Sequence, residues 1–230
     1  RSHQTMGDLY IDFETENYNN YRRWLNLKTA VFESEFTVDG NSVHQRVIAS
    51  RPDDGIFIEY KTTSDEGLSA TISMSRPEDH GHQTTTTFVE DEALVMQGEI
   101  TQYGGQFKGE DRPITHGVKF DTRLKVDHAG GDIIYNEDSI ELRNVQCVTL
   151  YLVSNTDFYF ADYQQKSRSH LDNVFEKPFE KLLAAHIKDY QQLYDRVDLS
   201  IDHDQKNQPT DVRLQKVMDG GVDTGLEQML

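Results

Sequence analysis

Val31-Phe32-Glu33-Ser34-Glu35-Phe36-Thr37-Val38-Asp39-Gly40-Asn41-Ser42-Val43-His44-Gln45-Arg46-Val47 alternates two sets of side chains on either side of an Asp-Gly pair. Val31, Glu33, Glu35 and Thr37 interleave with Phe32, Ser34, Phe36 and Val38, and Val43, Gln45 and Val47 resume the pattern after the break. Successive strand side chains point to opposite faces, so a period of two marks a half-buried strand. Asp39-Gly40 supplies two residues that tolerate positive φ, which a two-residue type I′ turn requires. The stretch predicts a β-hairpin turning at Asp39-Gly40.

Outward from that hairpin the same pattern continues. It predicts strands at Gly55 to Thr62, Leu68 to Ser75, Thr84 to Val89, Ala93 to Ile100, Val118 to His128 and Ser139 to Val153, separated by Gly, Asp and Asn clusters. Upstream, Asp8 and Asp12 lie four apart on a strand and so face the same side. Many strands with no early helix predict a mainly β chain, an antiparallel β-sandwich up to about Asp157. From about Ser169 the period changes: Leu171, Val174, Phe175, Phe179, Leu182, Leu183, Ile187, Tyr190, Leu193, Tyr194 and Val197 recur at steps of three and four. Pro178 suits the first turn of a helix, which predicts a short helix before it and a longer one to about Arg196. Thr210 is a plausible N-cap for a further one or two turns.

Bulk composition excludes several function classes. The 230 residues carry 40 acidic and 23 basic side chains, a net charge of −17. That balance repels a phosphate backbone, whose binding rests on Lys and Arg, and disfavours polyanionic glycans. The apolar run Val148 to Val153, interrupted by Thr149, reads as a buried strand and is far shorter than the roughly 20 residues of a membrane span. Cys147 lies in the apolar segment Val145 to Val153, has no second cysteine to pair with, and reads as a core residue. Trp24, the one tryptophan, reads as core as well, and the same reading extends to the aromatic group Phe158, Tyr159, Phe160 and Tyr163.

Four segments, taken in order, carry a resemblance. Gly7-Asp8-Leu9-Tyr10-Ile11-Asp12-Phe13 runs into Asn20-Tyr21-Arg22-Arg23-Trp24-Leu25-Asn26-Leu27. Ala49-Ser50-Arg51-Pro52-Asp53 and Gly117-Val118-Lys119-Phe120-Asp121-Thr122-Arg123-Leu124-Lys125-Val126 follow, and His186-Ile187-Lys188-Asp189-Tyr190-Gln191-Gln192-Leu193-Tyr194-Asp195-Arg196-Val197 closes the series. Together they resemble the N-terminal region of glycoside hydrolase family 95, the inverting α-L-fucosidases and related α-L-galactosidases. The resemblance sharpens the fold to a supersandwich-like antiparallel β-sandwich, incomplete here, over residues 1–157, a helical linker over 158–210 and the start of an (α/α)6 barrel over 211–230. Pro209-Thr210-Asp211-Val212-Arg213-Leu214 resembles the family's Pro-Thr-Asp-Glu-Arg-Leu. At Phe158 to Phe160 the chain departs from the family, which has a Thr/Ser-rich segment there.

The resemblance places the catalytic Glu and its Asn/Asp partners in the barrel, so it assigns no catalytic residue within this chain. It implies a fucosylated or L-galactosylated glycan as the partner of the intact enzyme, no cofactor, intramolecular packing on the barrel, and a periplasmic or extracellular location. No apolar leader is visible after Arg1-Ser2-His3-Gln4.

Other chemistry is weakly supported. An inverting glycosidase needs two carboxyls about 6.5 to 9.5 Å apart, yet Asp8 with Asp12, Asp53-Asp54 in a turn and Glu90-Asp91-Glu92 at a hairpin tip read as structural or solvated. Glu78-Asp79-His80-Gly81-His82 has metal-ligand types without a second half-site. Asp202-His203-Asp204 with Asn207 lacks the Gly and the terminal Glu of a calcium loop, and no Gly-x-Ser-x-Gly or phosphate-cradling loop occurs. The best sugar-contact candidate is the loop Tyr103 to His116, in which Tyr103, Phe107, Arg112 and His116 combine rings and donors among the glycines at 104, 105 and 109. Packing against the barrel is its alternative use. Two readings follow: the non-catalytic scaffold of an α-L-fucosidase-type hydrolase, or a free-standing carbohydrate-binding or interface sandwich.

Overall fold

A computed structural model describes residues 5–13, 15, 17–78, 83–102, 105–107, 110–112, 115–197 and 208–223. The strands are β1 (Asp8–Phe13), β2 (Tyr18–Asn26), β3 (Val31–Val38), β4 (Asn41–Ser50), β5 (Gly55–Thr62), β6 (Leu68–Ser75), β7 (Thr85–Glu90), β8 (Ala93–Gln102), β9 (Gly105–Phe107), β10 (Glu110–Arg112), β11 (Thr115–Ala129), β12 (Asp132–Tyr135), β13 (Ser139–Val145) and β14 (Cys147–Thr156). The helices are α1 (Tyr163–Phe175), α2 (Phe179–Tyr194) and α3 (Thr210–Met218).

An antiparallel β-sandwich followed by helices results. A four-stranded sheet in the order β1-β6-β13-β12 stacks on an eight-stranded sheet in the order β2-β3-β4-β5-β14-β11-β8-β7. The founding hairpin is as expected, with Val38 opposite Asn41 and both turn residues at positive φ, 48° for Asp39 and 85° for Gly40. Asp91 and Glu92, also at positive φ, turn β7 into β8.

Burial explains why the large sheet reads as nearly continuous apolar sequence in places. In β14 Val148 and Leu150 face the four-stranded sheet while Tyr151 and Val153 face the helices, and in β8 Leu94 and Met96 are split from Ala93 and Val95 in the same way. A strand covered on both faces needs apolar residues on both. The outer core is completed by Leu171 and Val174 of α1 with Phe179 and Leu182 of α2. Those residues sit at helical spacing, so α1 and α2 form a third layer on the large sheet.

Several expectations are corrected. Ser139 to Val153 is two strands: β13 pairs with β6 in the small sheet, and β14 pairs with β5 and β11 in the large one. Gln146 separates them, and Asn144 at φ 55° sits in the bulge just before it, where the ladder shifts register between Leu142 and Val145. α1 starts six residues before Ser169, and the N-cap of α3 is Pro209 without a side-chain bond, with Thr210 the first helical residue. Trp24 belongs to neither core, since β2 is an edge strand. It is half-buried, donates from Nε1 to Glu33 over 3.2 Å and lies under the Arg22 guanidinium. Cys147 is likewise half-buried at the start of β14. Phe158, Tyr159 and Phe160 are exposed rather than core.

Two compact units divide the chain, residues 1–192 and 193–230. In the second, Arg213 of α3 holds both carboxylate oxygens of Asp223 through its Nε and Nη2, at 3.0 and 2.7 Å, and Gly220 at φ 87° takes the left-handed position that ends the helix. Residues 224 to 230 and 198 to 207, with the candidate calcium loop, lie outside the described residues, as do 79 to 82 of the Glu78 to His82 segment.

Candidate functional site

Within Tyr103 to His116, where the sequence suggested a loop, the described residues are paired strands. Glu110 pairs with Phe107 and Arg112 with Gly105, while His116 pairs with Thr101 of β8. Phe107 and Arg112 therefore lie in a separate two-stranded ladder and His116 in β11, and Tyr103 lies outside the described residues. The ladder changes register between His116 and Lys119. Gly117 sits at that irregularity, where a Cβ would come within 2.4 Å of the Ile100 carbonyl oxygen. Only glycine admits so close a backbone approach.

Beside the β8–β11 ladder a cleft of about 550 Å³ opens, lined by Thr84, Thr85, Thr86, Gln97, Glu99, Lys119 and Tyr163 among others. Its walls are fixed from behind. Arg76 donates to the Thr84 hydroxyl over 2.6 Å, the Glu99 amide bonds to the Thr84 carbonyl at 3.1 Å, and Gln97 donates to Asp121 over 2.7 Å. Lys119 exchanges two bonds with Asp157, one from its own amide to the carboxylate at 2.9 Å and one from the Asp157 amide at 3.0 Å. That pairing brings the end of β14 alongside, and the chain passes through Phe158-Tyr159-Phe160 before Tyr163 enters the lining. Phe158 is 67% and Tyr159 78% exposed, their rings edge to face at 4.9 Å.

Under the helices lies a charge network that sequence reading missed. Asp121 is fully buried and Arg123 is 2% exposed. Arg123 grips Asp121 at 2.7 and 3.1 Å and reaches Glu90 at 3.2 Å, and Arg168 of α1 closes on Glu90 at 2.6 Å and Asp91 at 3.1 Å. The Arg168 hydrogen bond, with Arg123 assisting, holds the Glu90 carboxyl below its ordinary value. A carboxyl kept ionised in this way is a poor general acid. The available signal was Asp121, Arg123 and Lys125 at alternate positions of a strand, three charges on the side that faces α1.

Two more polar latches tie the helices to the sheet. Asp53, in the turn after β4, accepts from Ser50 at 2.9 Å and from Lys177 at 2.7 Å, and its carbonyl meets His170 at 2.8 Å. Farther along α2, the buried His186 places Nε2 3.0 Å from the Thr29 carbonyl and 3.3 Å from that of Ala30. Tyr190 donates to Leu27 O at 2.9 Å, Gln191 to Lys28 O at 3.3 Å, and Asp189 pairs with Arg51 at 3.1 Å. The segment His186 to Gln191 is thus a docking motif for the β2–β3 turn. Asp8 and Asp12 share the exposed face of β1, as their spacing predicted. Among the described residues no group of three or more His, Cys, Asp or Glu is placed to hold a metal ion, and no helix is long and apolar enough to cross a membrane.

Two family models match along the chain. Residues 1–160 match the family described as glycosyl hydrolase family 65, N-terminal domain, and residues 178–230 match glycosyl hydrolase family 95 catalytic domain. The chain is 24% identical to Alpha-L-fucosidase 2 of Arabidopsis thaliana, over 90% of its own length and 27% of that protein's. It therefore spans little more than a quarter of this curated relative. In structure it is similar to a candidate kojibiose phosphorylase from human microbiome, with a TM-score of 0.56 at 12% identity over 84% of this chain and 28% of that one. The second likeness concerns the fold alone.

Proposed function

The chain belongs, through residues 1–160, to the family of glycosyl hydrolase family 65 N-terminal domains, and from that premise we propose that it is the non-catalytic N-terminal portion of a glycoside hydrolase acting on terminal α-L-fucosides or α-L-galactosides with inversion. The observation that carries the proposal is the order of parts: a β-sandwich, then helices latched to it, with the family 95 catalytic-domain match beginning at residue 178, one residue before α2. In this reading residues 1–157 are the sandwich, 158–210 the helical linker and 211–230 the opening of an (α/α)6 barrel. The segment Tyr103 to His116, with Tyr103, Phe107, Arg112 and His116, serves substrate contact or barrel packing, and the protein works in the periplasm or outside the cell.

The similarity to Alpha-L-fucosidase 2 supports the substrate class. The test compares residues 1–230 with a chain continued through a barrel domain, on 2′-fucosyllactose and a nitrophenyl α-L-fucoside. Proton NMR should find β-L-fucose as the first product and activity confined to the longer chain. Release of α-L-fucose first would reject inversion, and turnover by residues 1–230 would reject the scaffold role. A second reading, a non-catalytic glycan-binding or interface module, is favoured by the exposed Phe158 and Tyr159. Glycan binding with no hydrolysis by the longer chain would select it.

A further inference from the structure

The cleft between β7–β8 and the β14–α1 turn has a chemistry of its own. Consecutive exposed aromatics are unusual on a solvated surface and mark interaction sites. Here Phe158 and Tyr159 lie in the connection between Asp157, which is bonded to the lining residue Lys119, and Tyr163 of the lining itself, while Thr86 and Gln97, paired across β7 and β8, share the sheet face below. The lining includes one cation, Lys119, and one anion, Glu99, and the remainder consists of hydroxyls, amides and a glycine. Rings that cover apolar CH faces next to hydroxyl and amide groups suit a polyhydroxylated ligand. An apolar protein segment would meet a polar floor, and an anionic ligand would meet a chain of net charge −17.

We propose that this cleft is a glycan-binding site for a short neutral oligosaccharide, with Tyr159 and Tyr163 against sugar faces and Thr86 and Gln97 reading hydroxyls. The ligand class rests on the hydrolase reading. Binding is therefore measured on residues 1–230 without turnover, so that an inactive longer chain and a non-binding cleft are separate results.

The probe is 2′-fucosyllactose, titrated into the isotope-labelled chain and followed by amide shifts, with a sulfated heparin disaccharide as the anionic counterpart. Saturable shifts are expected at residues 84–86, 97–99, 119 and 158–163, with affinity lowered about five- to tenfold in Tyr159→Ala. Tyr159 is 78% exposed, so this variant keeps its fold, and Thr86→Val provides a second lesion in the floor. Tyr21→Ala, an exposed tyrosine on β2 at the opposite edge of the eight-stranded sheet, should bind as the wild type does. No saturation at tens of millimolar sugar, equal loss in Tyr21→Ala, or tighter binding of the sulfated disaccharide would overturn the proposal.

Discussion

Asp121→Ala removes one half of the most deeply buried ion pair in the described structure. Asp121 is fully buried and Arg123 2% exposed, so in the variant the guanidinium stays in the protein and loses the acceptors of Nε and Nη2, keeping Glu90 on Nη1. Gln97 loses its acceptor too. Breaking a buried pair from one side costs about 3 to 5 kcal/mol, because an uncompensated charge remains. For a unit of this size each kcal/mol moves the midpoint about 2 to 4 °C, so the melting temperature should fall by roughly 6 to 20 °C. Replacing both partners, Asp121→Leu with Arg123→Met, removes the stranded charge and should recover part of that loss. The assay is urea unfolding followed in parallel by Trp24 fluorescence and far-ultraviolet circular dichroism, which also checks that the transition is two-state. A cost below about 1 kcal/mol for Asp121→Ala, or a double variant at the sum of the two single effects, would refute the reasoning.

Two further outcomes concern the latches and a third the half-buried thiol. His186→Ala leaves the Thr29 and Ala30 carbonyls without their donor and should cost about 1 to 3 kcal/mol, with faster amide exchange at residues 27–30; unchanged protection there would count against the docking role. The Glu90 carboxyl, held below its ordinary 4.5 first by Arg168, gives stability that is complete above that pH and is lost as the pH falls through the lower folded value. The stability gap between wild type and Glu90→Gln should therefore be widest at neutral pH and shrink below about pH 4.5, and a constant gap would exclude the linkage. Burial, with the Glu59 carboxylate assisting, pushes the Cys147 thiol up from 9.0, so iodoacetamide at pH 8 should modify the native chain more slowly than the chain in urea; equal rates would contradict it.

What the sequence disclosed was what local periodicity can carry. The Asp39-Gly40 hairpin, β5, β6 and the change of period near α1 need only neighbours along the chain. Where β13 passes into β14 the apolar set shifts phase, from Ile140 and Leu142 to Val145, and such a shift marks a bulge as readily as a strand end, so pattern alone could not reveal that the two halves join different sheets. Exposure was the second blind point. Trp24 and Phe158 to Phe160 look like core material, yet one sits on an edge strand and the others in a connection, and their surroundings depend on chain segments far away in sequence. Arg123 was hidden for the converse reason, since a charged residue in a strand reads as solvent-facing until α1 is placed over it.

The segments that carry the family resemblance prove to be those that make the latches. Ser50 and Asp53 receive Lys177 and His170, Asp121 and Arg123 lead through Glu90 to Arg168, and His186, Tyr190 and Gln191 reach the β2–β3 turn. Apolar burial between a sheet and two helices is non-directional and tolerates sliding. A buried histidine aimed at two carbonyls, or a guanidinium closed on a carboxylate, is satisfied in one register and costly in the others. Three such contacts along α1 and α2 therefore define one seating of the helices on the sheet, whatever apolar residues fill the layer between. Under the proposed scaffold role, that single seating is what the sandwich passes on to a following catalytic domain, and it gives the polar docking residues a structural reason to figure in the recognisable pattern.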